Sequence, residues 1–421
     1  MKISQFTKLV DIDNRTSILY NTFSRQYITL LPGKREMVLK FLGEINKGLY
    51  SKEEIEIFSE MTRKKIIVFD EENEVKQIEE LENNECHRKD KFQIVIYTTN
   101  QCNFRCVYCT QEHIQKNLEK DTIEQIIELM ADIAKEVDEI ELNWFGGEPL
   151  LQYENIVRIL KITNKICEQN HCICSSNVVT NGYLLNRERL EELRKLNVKQ
   201  MQITVDGNKK LHDKQRILIN GRGTYDIILN NICVALECGI KVTLRVNVGG
   251  KITLDVLDEI PIKYRKDVVV SIANIFQNKN KISTYEMAKQ AIQKGYRYQG
   301  RYNSYAKCIA NQQNSLYIDA DGRILLCSNT CTDEKAIGKL QKKGKVEYSD
   351  KGKKKKLQSV STVQNEQCRQ CIELPLCIGD CKYWRMNQND RCLGKRPDGM
   401  TLEERAKIDY YDDKKHKKET E

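Results

Sequence analysis

Residues 93–110 read QIVIYTTNQCNFRCVYCT, an apolar strand followed at once by three closely spaced cysteines. Cys102, Cys106 and Cys109 have the spacing C-x3-C-x2-C. Three thiolates on one loop can hold three irons of a [4Fe–4S] cube and leave the fourth iron open to a small molecule. A structural zinc site would need four ligands, and this run supplies three cysteines. The stretch therefore predicts an iron–sulfur site at the end of a strand.

The composition is that of a large globular chain without the marks of secretion. It has 421 residues, 40% hydrophobic and 31% charged, and 17 of them are cysteines. The length predicts two or three domains. No apolar run approaches a spanning helix, and the start MKISQFTKLV lacks the apolar core of a signal peptide. We expect a cytoplasmic protein with no membrane contact, in which cysteines bind metal rather than form disulfides.

The net charge of +9 is concentrated in two lysine-rich stretches, Lys342–Lys356 and Lys414–Lys418. Such runs are usually solvated loops and tails, which is the expectation here. The alternative is a docking surface for an acidic partner.

From residue 92 apolar strands alternate with amphipathic helical stretches. Six such units predict an α/β fold in which a parallel sheet has right-handed crossovers and is open or curled into a partial (β/α)6 barrel. Active residues are then expected at the carboxyl ends of the strands. The candidate strands are Gln93–Thr98, Ile140–Trp144, Asn177–Thr180, Gln200–Val205, Lys241–Val248 and Val268–Ile275.

Three further motifs follow predicted strands. Residues Trp144–Leu150 read WFGGEPL, where two glycines allow a close backbone approach to a ligand. Residues Thr180–Gly182 read TNG, and Thr204–Arg216 read TVDGNKKLHDKQR. All three would meet the cysteine loop at one edge of the sheet.

The cysteine run resembles that of radical S-adenosylmethionine enzymes. The resemblance implies that Cys102, Cys106 and Cys109 hold a [4Fe–4S] cluster whose open iron chelates S-adenosylmethionine. Reductive cleavage of the sulfonium would give a 5′-deoxyadenosyl radical that abstracts hydrogen. By the same resemblance, Tyr108 contacts the adenine.

The strand-end motifs extend this resemblance. Gly146, Gly147 and Glu148 match the family element that holds the methionine amino group. Thr204 stands where the family has Ser, and with Arg216 it is expected to contact the ribose and carboxylate. The remaining matched polar residues, expected to form a structural salt-bridge network, are Asp206, His212 and Asp213.

The C-terminal cysteines have spacings similar to those of SPASM domains, which carry two auxiliary [4Fe–4S] clusters. By resemblance one set is Cys308, Cys327 and Cys381, and the other is Cys368, Cys371, Cys377 and Cys392. The first set lacks a fourth ligand. Either Cys331 completes that cluster, or one iron stays open to substrate.

Residues 1–85 contain no cysteine and read as a small α+β domain that resembles a winged helix. Ile18–Tyr20 and Tyr27–Leu30 predict two strands, and helices follow. The expected organisation is this domain at 1–85, a radical core at 92–300, a SPASM domain at 305–395 and a charged tail at 396–421. In peptide maturases with such an N-terminal domain, the leader of the precursor adds to it as a strand.

The resemblance therefore implies a maturase that abstracts hydrogen from a ribosomally made precursor peptide. Its product is expected to be a cross-link, most often a Cys thioether, and its electrons to come from flavodoxin or ferredoxin. An anaerobic sulfatase-maturing enzyme is the alternative, although Ser328 stands where those enzymes have Asp. A zinc-containing nucleic-acid-binding protein is the alternative from another class. No catalytic acid or base can be assigned.

Overall fold

The computed structural model describes residues 1–46, 48, 50–250, 252–275, 277–278, 280–300, 308–328, 336–379, 381–387 and 398–417. Cys331 and Cys392 lie outside these ranges. Within them, no helix combines the length and the apolar content needed to cross a membrane.

The N-terminal region is built on a three-stranded antiparallel sheet. Its elements are β1 (Lys2–Ile3), β2 (Thr7–Asp11), β3 (Ser17–Asn21), β4 (Gln26–Leu30), α1 (Pro32–Gly43), α2 (Lys52–Arg63), β5 (Ile67–Val68) and α3 (Glu74–Cys86). The sheet order is β2–β3–β4, while β5 pairs with β1. The predicted strands at 18–20 and 27–30 are confirmed. The strand β2 was missed, because its sequence TKLVD mixes polar and apolar residues.

Helices α1 and α2 cover one face of this sheet for local sequence reasons. Pro32 opens α1 with its fixed φ, and Ser51 with Glu54 forms a capping box at α2. Val38 and Phe41 of α1 pack with Met61 of α2 in one buried cluster.

The central sheet is parallel, as predicted. Its strands and the helices between them are β6 (Lys91–Tyr97), α4 (Lys120–Ile133), β7 (Glu139–Phe145), α5 (Tyr153–Gln169), β8 (Ile173–Thr180), α6 (Arg187–Lys195), β9 (Val198–Thr204), α7 (Lys209–Gln215), α8 (Tyr225–Glu237), β10 (Lys241–Val248), α9 (Val256–Glu259), β11 (Val268–Asn274), α10 (Tyr285–Gln293) and β12 (Arg297–Tyr298). Strands β6 to β11 lie side by side in chain order, and all six predicted strands are present. Apolar side chains such as Leu142, Trp144 and Leu244 are fully buried between sheet and helices.

The cysteine-rich region begins as a continuation of this sheet. Its elements are β13 (Ser315–Ile318), β14 (Arg323–Leu325), β15 (Ala336–Leu340), β16 (Val346–Tyr348), α11 (Lys351–Ser359), α12 (Glu366–Arg369), α13 (Leu374–Cys377) and α14 (Lys382–Asn387). Strand β13 pairs in parallel with β6, on the side away from β7. The residues Leu316–Ile318 therefore join the main hydrophobic core. The boundary drawn at residue 305 is not a break in the sheet.

The lysine-rich stretches contain regular secondary structure where a loop and a tail were expected, although most of their described lysines are exposed, as composition suggested. Strand β16 and most of α11 fall within the first stretch. Residues Leu402–Lys417 form a last helix, α15, where a charged tail was expected. Leu402 and Ala406 of α15 are buried against the N-terminal sheet, and Ile408 against α10. Apolar residues spaced on helix faces explain why this charged segment folds.

Candidate active site at the carboxyl end of the central sheet

The cysteine loop follows β6 and is fastened by backbone hydrogen bonds. The amide of Arg105 donates to Ile217 O at 2.8 Å, and that of Val107 donates to Gln215 O at 3.0 Å. Within the loop the amide of Phe104 donates to Cys102 Sγ at 3.3 Å. The loop is thus held against the segment that follows α7.

The three thiols of the loop lie within electrostatic reach of one another. Burial raises the pKa of Cys102 to about 12, and the charges of Glu148, Cys106 and Cys109 act in the same direction. Burial also raises the pKa of Cys106, whereas Arg216 lowers it. Such thiols become good ligands when a metal displaces the proton.

Within the described ranges, no group of three or more Cys, His, Asp or Glu side chains is close enough together to hold a metal ion. The assignment of these cysteines to a cubane therefore rests on their spacing and on their common loop.

Gly146 and Gly147 bring the end of β7 against the start of the cysteine loop. A Cβ on Gly146 would lie 2.4 Å from Thr99 O, and one on Gly147 would lie 2.1 Å from Gln101 O. Gly147 N donates to Thr99 O at 2.8 Å. Gly146 has a φ of +138°, which disfavours a side chain. The close approach expected for a ligand is here an approach to the loop itself.

Glu148 is fully buried and its carboxylate is saturated with donors. It accepts from the Thr180 hydroxyl at 2.6 Å, from Asn181 N at 2.7 Å and from Leu150 N at 3.1 Å. Burial raises its pKa, and these hydrogen bonds oppose the shift. The TNG motif therefore meets the GGEP motif, as expected, and Glu148 ties the ends of β7 and β8 together.

The hydroxyl of Tyr108 is the centre of a buried polar network. It donates to Asp206 Oδ2, and it accepts from Arg216 Nη1 at 2.7 Å and from Asn247 Nδ2 at 3.2 Å. The Tyr108 carbonyl accepts from Gln277 Nε2 at 2.7 Å. Side chains from four parts of the chain therefore fix the position of this aromatic ring.

Arg216 is the cation of the site. Its guanidinium carbon lies 5.7 Å from the centre of the Phe104 ring, at the base of the cysteine loop. Its Nε is buried and has no hydrogen-bond partner among the described residues. A buried charge with an unused donor is costly unless a ligand completes its hydrogen bonds. The side chain therefore fits an anionic or hydroxyl-bearing group in the site.

The HD pair after β9 is structural. Asp206 N donates to His212 Nδ1 at 3.2 Å, and His212 Nε2 lies 3.0 Å from the Thr224 hydroxyl. Burial, with Arg216 nearby, lowers the pKa of His212 to about 3. Asp213 accepts from the amides of Thr224 and Tyr225. The expected salt-bridge network is thus a hydrogen-bond network around a neutral imidazole.

Thr204 ends β9, two residues before Asp206, and pairs in register with Arg245 of β10. Sequence reasoning missed Asn247, near the end of β10, and Gln277, which follows β11. Their amides hold Tyr108, but an isolated Asn or Gln after a strand carries no recognisable pattern. The position of Asn247 at a strand end was the one available signal.

The auxiliary cysteines are partly brought together. Tyr317 of β13 is buried beside Cys308 and Cys327, and burial with these two thiols raises its pKa well above the usual value. The two cysteines therefore share one environment. Arg385 Nη1 donates to Cys368 Sγ at 3.4 Å, and Cys371 N donates to Cys368 O at 3.1 Å.

Cys377 ends α13, and Cys381 directly precedes α14. The roles predicted for Cys331 and Cys392 lie outside the described residues.

Residues 96–260 match the model of the Radical SAM superfamily. The chain contains a radical SAM domain. The matched segment begins in β6 and includes the cysteine loop, the GGEP and TNG motifs and the stretch that ends at Arg216. The match supports the predicted parallel α/β core, and proteins of this superfamily bind S-adenosylmethionine and a [4Fe–4S] cluster.

A relative, the GTP 3′,8-cyclase of Clostridium perfringens (strain SM101 / Type A), is 27% identical over 324 residues, covering 74% of this chain and 86% of that protein. Two solved structures share the fold. Native anSMEcpe with bound AdoMet and Cp18Cys peptide has a TM-score of 0.56 at 16% identity, covering 78% of this chain and 99% of its own. Streptococcus suis SuiB bound to precursor peptide SuiA has a TM-score of 0.53 at 18% identity, covering 93% and 97%.

Proposed function

We propose that this protein is a radical S-adenosylmethionine maturase that oxidatively cross-links a ribosomally made precursor peptide. The observation that carries the radical part is the buried constellation around the cysteine loop, in which Tyr108 and Arg216 meet at the carboxyl end of the sheet. The peptide part is supported by the N-terminal domain and by a fold shared over 93% of the chain with SuiB.

Cys102, Cys106 and Cys109 are the residues that would hold the radical cluster. When bound, the cluster and S-adenosylmethionine supply a carbon radical able to abstract hydrogen. Tyr108 would present its ring to the adenine, since Asp206 and Asn247 fix its hydroxyl. Arg216 Nε would donate to an acceptor on the nucleotide, which would relieve its unpartnered state.

The strand-end motifs prepare the site rather than react. Glu148 holds the ends of β7 and β8 in place through three hydrogen bonds. Gly146 and Gly147 allow β7 to lie against the loop. The polar atoms that would surround a ligand are therefore positioned before it binds, which reduces the ordering cost of binding.

Two auxiliary [4Fe–4S] clusters are proposed in the cysteine-rich region. Cys308, Cys327 and Cys381 would hold one, and Cys368, Cys371, Cys377 and Cys392 the other. The shared environment of Cys308 and Cys327 around Tyr317 supports the first set. Each cluster could accept the electron that remains after hydrogen abstraction, with flavodoxin or ferredoxin as the external electron donor.

The N-terminal sheet supports peptide recognition. Its helices cover one face and α15 the other, so the edge strands β2 and β4 are the places where an added strand could pair. On β4, the Tyr27 carbonyl already accepts from Lys64 Nζ at 2.7 Å. Docking of a leader here would raise the effective concentration of the core peptide at the radical site.

The alternatives differ in substrate. Formylglycine formation by a sulfatase-maturing enzyme is less favoured because Ser328 follows Cys327 where those enzymes carry Asp. A nucleic-acid-binding zinc protein is less favoured because the radical SAM domain implies an enzyme. The similarity to a GTP 3′,8-cyclase makes GTP a necessary control substrate.

The first experiment tests the radical chemistry. The full chain, reconstituted anaerobically with iron and sulfide, should form 5′-deoxyadenosine from S-adenosylmethionine and dithionite. Changing Cys102, Cys106 and Cys109 together to Ala should abolish this product and lower the iron content by about four per chain. Replacing Cys233 and Cys238 by Ala is the matched control and should change neither measurement. Undiminished 5′-deoxyadenosine in the triple variant would refute the assignment.

The second experiment tests the substrate class. Each short peptide encoded beside the gene is incubated with the enzyme and analysed by mass spectrometry, with GTP in a parallel reaction. Loss of two hydrogen atoms from one peptide, without consumption of GTP, is the expected result. A leader-only peptide should compete with that precursor and remain unmodified. Consumption of GTP with every peptide unchanged would contradict the maturase proposal.

A further inference from the structure

A polar cavity of about 710 Å³ lies between the N-terminal domain and the cysteine-rich region. Helix α3 contributes Glu79 and Glu82 to its wall, and helix α11 contributes Lys351, Lys354 and Lys355. The lysine-rich run, for which the radical chemistry gives no role, thus forms one side of an interdomain space. Cavities of roughly 300–1,000 Å³ are large enough to hold most of a drug-sized ligand.

The charges of this cavity do not balance. Glu82 is paired with Lys382 at 2.8 Å, and both side chains are 5% exposed. Glu79 is the other carboxylate among the described residues that line the cavity, against the three lysines of α11. Among the described residues that line the space, four are lysines and none is an arginine. Lysine attracts carboxylates and phosphates alike as a point charge, whereas arginine binds either group through a planar fork of donors.

Lys354 is the partly buried lysine that α11 contributes to this wall. Its Nζ donates to Ser315 O at 2.5 Å, which fixes the ammonium at the start of β13. Burial, and then the charge of Lys351, lower the pKa of Lys354 to about 8. Two ammonium groups held close together repel each other, and a carboxylate between them would remove that repulsion.

We propose that this cavity binds an acidic segment of the precursor peptide, whose carboxylates pair with Lys351, Lys354 and Lys355. The proposal rests on the peptide-maturase function and adds to it a second, remote anchor. Ser315 is in register with Gln93, near the start of β6. The cysteine loop follows the other end of that strand, beyond Tyr97, which lies about 13 Å from Gln93 at roughly 3.3 Å per residue. An extended linker of about four residues or more could connect the two sites.

The cavity would also couple peptide binding to the arrangement of the two regions. Its walls belong to α3 and to α11, so a bound segment contacts both. Gln313 N donates to Cys86 O at 2.8 Å beside the cavity, and the buried Lys382–Glu82 pair closes it. The anion site therefore exists only where the N-terminal domain is docked as in this structure.

The test is a binding measurement on the full chain with a matched pair of variants. The probe is a fluorescein-labelled oligoglutamate, and oligoglutamine of the same length is the neutral control. One variant is Lys351→Gln with Lys355→Gln, both exposed residues of the cavity wall. The other is Lys353→Gln with Lys356→Gln, which removes two exposed charges of α11 outside the wall. The first pair should weaken oligoglutamate binding about tenfold, and the second less than twofold.

Three results would overturn the proposal. One is equal weakening by both pairs, which would mean nonspecific attraction to a basic helix. Another is unchanged affinity in the cavity pair. The last is displacement of the labelled oligoglutamate by inorganic phosphate at concentrations as low as those at which unlabelled oligoglutamate displaces it. That result would mean a site for small anions in general. Formation of 5′-deoxyadenosine without peptide should be the same in both variants and in the parent. Failure of that reaction in the parent would refute the radical function while leaving the binding result interpretable.

Discussion

The Arg216 guanidinium donates to the Tyr108 hydroxyl across 2.7 Å, joining two residues that are 108 positions apart in the chain. The same hydroxyl donates to Asp206, so a buried cation and a buried carboxylate meet through one phenol. The aromatic residue of the cysteine loop is therefore held by a network and not by loop packing alone.

Tyr108→Phe should weaken the binding of S-adenosylmethionine by about tenfold while leaving the radical cluster in place. The substitution keeps the ring but removes a donor to Asp206 and an acceptor for Arg216, at a cost of about 1–3 kcal/mol. Equilibrium dialysis with labelled S-adenosylmethionine and an iron assay measure the two effects. Tyr183→Phe is the control, because it removes a tyrosine hydroxyl that is not part of the Tyr108 network. Parental affinity in Tyr108→Phe would show that the hydroxyl network does not position the ring.

Gly147→Ala should displace the cysteine loop and reduce both iron content and 5′-deoxyadenosine formation. Its Cβ would lie 2.1 Å from Gln101 O, and backbone cannot yield as a flexible side chain can. Gly250→Ala is the control, because a Cβ there meets nothing within 4 Å. Full iron content and activity in Gly147→Ala would show that the close approach is not needed.

The stability of the protein should decrease as the pH falls from 6.5 towards 3, in part because of His212. Its pKa is about 3 in the fold against a reference value of 6.5, because the ring is buried and faces Arg216. In this window the unfolded chain binds a proton that the folded chain refuses, so stability is lost by up to about 1.4 kcal/mol per pH unit.

His212→Gln should flatten that pH dependence, which urea unfolding at several pH values would measure. His87→Gln, which removes an exposed imidazole, is the comparison variant. A slope in His212→Gln as steep as the parent's would mean that other groups cause the acid sensitivity.

Asp409→Asn should loosen helix α15 from the N-terminal sheet. Asp409 accepts from the Tyr20 hydroxyl at 2.6 Å and from Arg25 through two nitrogens, at 2.6 and 3.1 Å. Breaking a partly buried pair of this kind costs about 2–3 kcal/mol. Limited proteolysis should then cut the N-terminal domain faster.

Glu403→Gln is the comparison for Asp409→Asn. Glu403 lies on the same helix as Asp409 and forms a half-exposed ion pair with Lys8 of β2. Breaking that pair should cost about 1 kcal/mol or less. If the two variants were cleaved at the same rate, the Asp409 network would not be what holds the domain.

Much of this protein could be read from its sequence because the relevant signals are local. The six parallel strands follow from alternating apolar segments, and their order follows from right-handed crossovers. The spacing of the cysteines located the cysteine loop. Two glycines and a glutamate after the next strand located the GGEP motif, which lies against that loop. These patterns need only residues a few positions apart.

The tertiary structure alone decided which residues meet across long stretches of chain. No local pattern predicted that Asn247 and Gln277 donate hydrogen bonds to Tyr108. Nor did one predict that the backbone of Gly147 lies against Gln101. The pairing of β13 with β6, and of α15 with the N-terminal sheet, likewise joins segments more than 200 residues apart. A local pattern specifies which face of an element is apolar, but any complementary face could cover it. The partner is chosen only when all elements pack together, because that choice depends on the burial and hydrogen bonding of the whole chain.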